Sequence, residues 1–260
     1  MVQIRSYAPQ HRVVGKPRLS GRSDSLTVAR LVHASKILQQ LADLQSARMQ
    51  KNVLTIQYLR GIAAAIVVTS HMPSSPDAEY TSLTTLGDFG VDIFFIISGF
   101  VMWYTTVEVG LTPLRFWQRR IIRIVPLYWF FLTILAIPAL LVPQAFNSTK
   151  ITLGNSIKSF LFVPHYHIVQ HIIAPILIPG WSLNYEMFFY FLFGLALLVK
   201  PIPLRFYSLT AVLIGLILAG HVFQPTDPIL ATYTNPSLLM FIEGMVLAIV
   251  YRSGRLAHPI

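Results

Sequence analysis

An arginine and a histidine interrupt an otherwise apolar stretch, residues 56–72, which reads IQYLRGIAAAIVVTSHM. Arg60 and His71 are eleven positions apart. A helix would therefore place both side chains on one face, roughly 16 Å apart along its axis. Arginine is suited to gripping phosphate, and an imidazole is a general base near neutral pH. The alternative is that both side chains only reach the two membrane interfaces, without any chemistry.

Two carboxylates also fall inside apolar segments. Asp92 lies in GVDIFFIISGF, and Glu186 lies in WSLNYEMFFY, where Trp181 marks a membrane interface. An intramembrane carboxylate is costly unless it is paired, so we expect Asp92 to face the bundle interior and to find a donor or a cation there. Gly99 would let a helix or a ligand approach the backbone closely, and Ser98 is a weak candidate for a covalent acyl intermediate.

Four arginines recur at helical spacing between the second and third apolar segments. They crowd one mouth of the predicted bundle next to Pro126, which would kink the incoming helix. Arginine without lysine is typical of bidentate phosphate recognition, although part of this cluster sets membrane topology. The four residues are Arg115, Arg119, Arg120 and Arg123.

The sequence predicts no metal site. Three histidines, His165, His167 and His171, lie in residues 143–179, but that segment contains no carboxylate or cysteine to complete a ligand set. An ordinary loop is therefore the favoured interpretation of this segment. The chain contains no cysteine at all, which excludes disulfides, thiolate metal ligands and a cysteine nucleophile.

Composition indicates an all-α, polytopic membrane helix bundle. Hydrophobic residues make up 54% of the 260 positions and charged residues only 12%. Arginine-bearing connections all fall on one side, so both termini are predicted to be cytoplasmic, with the protein in the inner membrane. The six predicted membrane segments are residues 55–72, 87–107, 121–142, 181–199, 206–223 and 237–251.

The net charge of +10 is concentrated in an N-terminal tail, residues 1–50, ahead of the membrane domain, residues 51–260. We expect disorder up to residue 24, then an amphipathic helix on the inner membrane surface. A basic tail beside a membrane indicates topology or contact with anionic lipid, and no nucleic-acid partner is expected. Met49 is an alternative start to Met1, since MQKNVLTIQYLRG would be a complete beginning for a membrane protein.

Four stretches together resemble the signature blocks of the acyltransferase-3 family of integral membrane acyltransferases, in particular its exopolysaccharide O-acetyltransferase (ExoZ-like) branch. They are IQYLRGIAA followed by His71, GVDIFFIISGF, RRIIRIVPLYW and WSLNYEMFFY, in the family's order over residues 53–198. The resemblance implies that Arg60 and His71 form the family's Arg-x10-His motif, with the histidine catalytic. Arg120, Arg123 and Glu186 match motif positions with less settled roles.

Joined to the residue types, the resemblance implies acyl transfer from cytosolic acyl-CoA, most simply acetyl-CoA, to a hydroxyl of a polysaccharide or glycolipid. Acyl-CoA is then a co-substrate, and no bound cofactor is expected. His71 would be the general base, with Asp92 or Glu186 orienting its ring. The coenzyme phosphates would meet Arg60 and the arginines Arg119, Arg120 and Arg123.

The chain departs from the family in one respect. Members usually have about ten membrane helices, whereas six are predicted here. We therefore expect a C-terminally truncated copy, or one that needs a partner chain to supply the later helices. The competing interpretation is an inactive copy or a non-enzymatic transport subunit, because intramembrane charged residues also mark transport pathways.

Overall fold

The computed structural model describes residues 55–70, 80–106, 110–142, 144 and 151–254. Within residues 80–106, side-chain surroundings are described from residue 87 onward. The tail, residues 1–50, and His71 lie outside these ranges, so the predictions made for them stay predictions. Within the described part, the chain forms helices and one isolated antiparallel bridge, between Tyr166 and Ile173. The helices are α1 (Thr55–Ser70), α2 (Tyr80–Thr106), α3 (Pro113–Leu141), α4 (Leu153–Phe160), α5 (Trp181–Ala196), α6 (Ile202–Phe223), α7 (Pro228–Tyr233) and α8 (Leu238–Arg252).

Each of the six predicted membrane segments coincides with a helix, and the predicted all-α membrane bundle is confirmed. Four stretches are long and apolar enough to cross a bilayer, the last of which joins α7 and α8. Helix α1 is apolar but shorter, and α5 has 16 residues. The number of membrane passes and the side on which the termini lie remain predictions. The four spanning candidates are Gly87–Thr106, Pro113–Leu141, Ile202–Phe223 and Pro228–Arg252.

Helix α3 begins at Pro113, earlier than the predicted residue 121. A proline is well suited to a first helical turn, where its missing N–H has no intrahelical partner to lose. The first turns are held by Phe116, which is fully buried, and by Trp117, whose indole N–H donates to the Tyr190 carbonyl at 3.0 Å. The arginine cluster therefore lies on α3 and not in the connection before it.

Helices α2 and α8 pack backbone against backbone. A Cβ atom added at Gly99 would lie 2.2 Å from the carbonyl oxygen of Phe241, and one added at Gly244 would lie 2.1 Å from that of Ile96. Two glycines thus create reciprocal contacts, one on each helix. At Gly99 the close neighbour in this structure is a helix.

Helix α5 lies in the middle of the described bundle and contacts α2, α3, α6, α7 and α8. Aromatic rings form its core: Phe189 on α5 stacks on Phe241 with centroids 4.2 Å apart, and Phe241 stacks on Phe95 at 4.7 Å. This stack holds α5 at a fixed distance from α2 and α8. Because α5 also carries Glu186, the stack fixes where that carboxylate lies.

Candidate active site

A cavity of about 370 Å³ lies between α1, α3, α5 and the turn that precedes α5. Its lining is mostly apolar, including Leu127, Phe131 and Leu183. Charged and hydroxyl groups in such surroundings interact more strongly than in water, because the local dielectric is low. The polar side chains on the lining are Arg60, Arg123, Tyr128, Glu186 and Tyr190.

The cavity unites residues from three of the four sequence motifs. Arg60 is half-buried on α1, Arg123 lies ten residues into α3, and Glu186 lies on the second turn of α5. These residues are far apart in the sequence, and they meet because α3 packs against α5. Two guanidiniums and a carboxylate therefore share one small, largely apolar space.

The carboxylate of Glu186 is held by two hydroxyl groups. Ser98 Oγ on α2 donates a hydrogen bond to Glu186 Oε1 at 2.7 Å, and the Tyr190 hydroxyl donates to the same oxygen. The two hydroxyl oxygens are themselves 3.4 Å apart. Hydrogen bonds to an ionised acceptor are among the stronger ones, so this arrangement fixes the side chain of Glu186.

The three arginines predicted to bind phosphate have different surroundings. Arg123 lines the cavity, whereas Arg119 is exposed on α3 and does not line it. The guanidinium of Arg120 lies over the rings of Phe116 and Tyr190, at 5.6 and 5.9 Å from their centroids. Its buried Nε has no hydrogen-bond partner in the part of the chain that the structure describes. Arg120 thus lies behind Tyr190, away from the cavity lining.

The end of α1 packs closely on α2. A Cβ added at Gly87 would lie 2.3 Å from Ser70 Oγ, and one added at Gly90 would lie 2.8 Å from Val67 Cγ2. Ser70 is the last described residue of α1, and His71 follows it in the sequence. The predicted catalytic role of His71 is therefore a prediction that the described residues do not test.

Asp92 lies apart from the other described residues of the candidate site, and its predicted role beside His71 stays a prediction. It does not line the cavity that holds Arg60 and Glu186. Its electrostatic neighbours in the described residues are two acids, Asp88 and Glu243, whereas a donor or a cation was expected. The physical reason is rotational, because Asp92 and Ser98 are six residues apart on α2, which places their side chains about 120° apart around the helix axis.

Tyr190 is a site residue that the sequence motifs did not single out. It lies four residues after Glu186, the spacing at which two side chains on a helix are neighbours. That spacing is the signal that could have found it. Trp181 is the first residue of α5, and its ring packs edge-on against Tyr185 at 5.7 Å.

Two of the three histidines in residues 143–179 form hydrogen bonds that hold the local backbone. His165 is buried, its Nδ1–H donates to the Val163 carbonyl at 2.8 Å, and its Nε2 lies 3.4 Å from Ser159 Oγ. His167 Nδ1 accepts from the amides of Val169 and Gln170. Burial lowers the pKa of His165 and of His167 below the ordinary histidine value. No group of potential metal ligands occurs among the described residues.

Comparison with known proteins identifies the family. The protein-family model described as an acyltransferase domain (Acyl_transf_3) matches residues 53–259 of this chain. This chain belongs to that acyltransferase family. The match covers all of the described part, and it confirms the resemblance seen in the four motifs.

Within the acyltransferase family, the chain is similar to the exopolysaccharide production protein ExoZ of Rhizobium meliloti. The two are 36% identical over 171 residues, which cover 66% of this chain and 53% of ExoZ. The acyltransferase MdmB of Streptomyces mycarofaciens is 32% identical over 197 residues, covering 66% of this chain and 49% of MdmB.

The peptidoglycan O-acetyltransferase OatA of Listeria monocytogenes is 26% identical over 235 residues, covering 80% of this chain and 35% of OatA. The chain thus spans about half the length of ExoZ and MdmB, and less of OatA. No solved structure matches the chain significantly.

Proposed function

We propose that this chain is a membrane-embedded O-acyltransferase. It moves an acyl group, most simply acetyl, from cytosolic acyl-CoA to a hydroxyl of a cell-envelope or exported polysaccharide. The family and the names of its relatives support acyl transfer, and ExoZ and OatA are named for exopolysaccharide and peptidoglycan respectively. The observation that carries the proposal is the cavity shared by Arg60, Arg123 and Glu186.

Arginine and glutamate have separate tasks in this proposal. Arg60 and Arg123 attract the anionic donor and hold its polar groups, because a guanidinium offers several donors in a fixed plane. The apolar lining accommodates the uncharged arm and the acyl group. Glu186 orients the base and stabilises its charged form, as carboxylates do in other acyl-transfer sites. Arg120 lies outside the lining and contributes through Tyr190.

In the chemical step, the acceptor hydroxyl attacks the carbonyl carbon of the thioester. A carbon–oxygen bond forms, the carbon–sulfur bond breaks, and the hydroxyl proton passes to the imidazole of His71. The coenzyme leaves as a thiolate and takes up a proton from the imidazolium. Direct transfer of this kind requires no covalent acyl-enzyme. The coenzyme binds from the cytoplasmic side of the inner membrane, on which we place both termini.

The proposal is tested with membranes that contain the 260-residue chain, both alone and together with a fragment that supplies the four later helices of the family. Radiolabelled acetyl-CoA is added, and label is counted in the purified polysaccharide fraction. We expect transfer above the empty-vector level, and a loss of tenfold or more in Arg123→Gln and in Glu186→Gln. Arg119→Gln is the matched control, because Arg119 lies on the same helix but outside the cavity.

Two results would contradict the proposal. One is wild-type membranes that transfer no label to any polysaccharide. The other is equal activity in Arg123→Gln and Arg119→Gln, since the cavity would then have no part in the reaction. Immunoblots of each membrane preparation normalise the rates to the amount of inserted protein.

A further inference from the structure

The two oxygens of the Glu186 carboxylate are treated unequally. Ser98 and Tyr190 both donate to Oε1, at 2.7 Å in the case of Ser98. In the described part of the chain, no hydrogen bond is made to Oε2. A carboxylate held at one oxygen by two donors cannot rotate freely, and it presents its other oxygen in a fixed direction.

Ser98 acts from outside the cavity. It is buried, with 8% of its surface exposed, and it does not line the cavity. An acyl group in the cavity is therefore separated from Ser98 Oγ by Glu186, to which that hydroxyl is bonded. This arrangement disfavours Ser98 as a nucleophile. Ser98 is instead suited to holding Glu186 from helix α2, on the side of the carboxylate that faces away from the cavity.

Tyr190 is fixed as well, through its ring. The ring packs edge-on against Phe116 with centroids 6.1 Å apart, and the guanidinium of Arg120 lies 5.9 Å from its centroid. A cation near an aromatic face attracts the ring, so α3 fixes the tyrosine that in turn holds Glu186. Helices α2 and α5 thus supply the two donors to one carboxylate oxygen, and α3 holds one of those donors in place.

We propose that Ser98 and Tyr190 are positioning residues for acyl transfer, which lock Glu186 through Oε1 so that Oε2 serves the reacting groups in the cavity. This inference rests on the proposed function, because it assigns the two hydroxyls to the same reaction. Ser98 does not line the cavity, and the hydroxyl of Tyr190 is engaged by Glu186 rather than by the acyl donor. Their loss should consequently lower kcat and leave KM for acyl-CoA unchanged.

Kinetics of Ser98→Ala and Tyr190→Phe test the proposal. Each change removes one hydroxyl, and Tyr190→Phe keeps the ring on which Arg120 lies. We expect kcat to fall about tenfold to a hundredfold in each variant, the range for one hydrogen bond to a charged group. Ser98→Thr, which keeps the donor, should recover most of the rate. Tyr185→Phe is the matched control, because Tyr185 is also buried on α5 and its hydroxyl bonds to Thr232 instead of Glu186.

A double-mutant cycle separates positioning from general structural support. If the hydroxyls act through Glu186, then Ser98→Ala and Tyr190→Phe should have no further effect on the residual rate of Glu186→Gln. A purely structural loss would persist in that background. Activity within twofold of wild type in both single variants would overturn the proposal, as would an undiminished loss on top of Glu186→Gln.

A measurement without turnover keeps the test apart from the proposed function. Dicyclohexylcarbodiimide modifies carboxyl groups in apolar surroundings, and mass spectrometry gives the modified fraction of Glu186. Each single variant should change the labelling rate of Glu186 severalfold, and Tyr185→Phe should not. Unchanged labelling in both variants would refute the hydrogen bonds themselves. If labelling changes but the chain transfers no acyl group, the hydrogen bonds to Glu186 are supported and only the proposed function is refuted.

Discussion

The close contact between α2 and α8 allows the loss of stability in Gly99→Ala to be estimated. The added Cβ would lie 2.2 Å from the Phe241 carbonyl oxygen, whereas ordinary contacts are 3.4 Å or longer. A backbone oxygen cannot turn aside as a flexible side chain can, so the two helices must separate by about 1 Å. Overpacking of this kind costs about 1–3 kcal/mol.

A shift of α2 away from α8 should also disturb the candidate active site. Ser98 is the residue next to Gly99, and it holds Glu186 through a hydrogen bond of 2.7 Å. A displacement of α2 by about 1 Å would lengthen that bond beyond the usual range. We therefore expect Gly99→Ala to lower both stability and the rate of acyl transfer.

Thermal unfolding of the purified chain in detergent measures the stability. At about 2 kcal/mol, and roughly 2–4 °C per kcal/mol for a chain of this size, Tm should fall by about 4–8 °C. Gly215→Ala is the matched control on α6, because an added Cβ there meets nothing within 4 Å. In a helix, that change should be neutral or slightly stabilising. A Tm for Gly99→Ala equal to that of Gly215→Ala would refute the close packing of α2 on α8.

Three further predictions concern the chemistry and the pH response. His71→Ala should abolish transfer while expression and membrane insertion stay normal, as assayed by label transfer and immunoblot, because loss of a general base removes a chemical step. Arg123→Gln should raise KM for acyl-CoA more than it lowers kcat, and Arg119→Gln should change neither, in steady-state kinetics. Because the pKa of His165 is lowered in the folded chain, the unfolded state binds the proton more readily, and stability should fall as pH drops below about 6.5. The slope of Tm against pH between about 7.5 and 5.5 should be smaller in His165→Gln than in wild type.

The sequence by itself determined the class of fold and the position of most helices. Long apolar runs with few charges predict membrane helices because the bilayer admits backbone only when its hydrogen bonds are satisfied locally. The start of α3 could not be read in this way. Its first turns carry arginines, and they are helical because Phe116 and Trp117 pack against α5.

The motifs also determined most of the candidate site residues. Arg60, Arg123 and Glu186 were singled out by type and by resemblance, and they line one cavity. What only the tertiary structure decided is which side chains meet. Asp92 and Glu186 are both intramembrane carboxylates, yet Glu186 has two hydroxyl donors, whereas Asp92 has acidic neighbours.

The sequence also could not distinguish the surroundings of Arg120 from those of Arg123. They are three residues apart on α3, but one lies behind Tyr190 and the other lines the cavity. The direction of a side chain depends on the rotation of its helix about its own axis, and that rotation is set by packing. Here the rotation of α3 is set where Phe116 and Trp117 pack against Phe193 and Tyr190 of α5. Hydropathy and spacing are local properties, so they locate a helix in the chain but do not fix the neighbours of its faces.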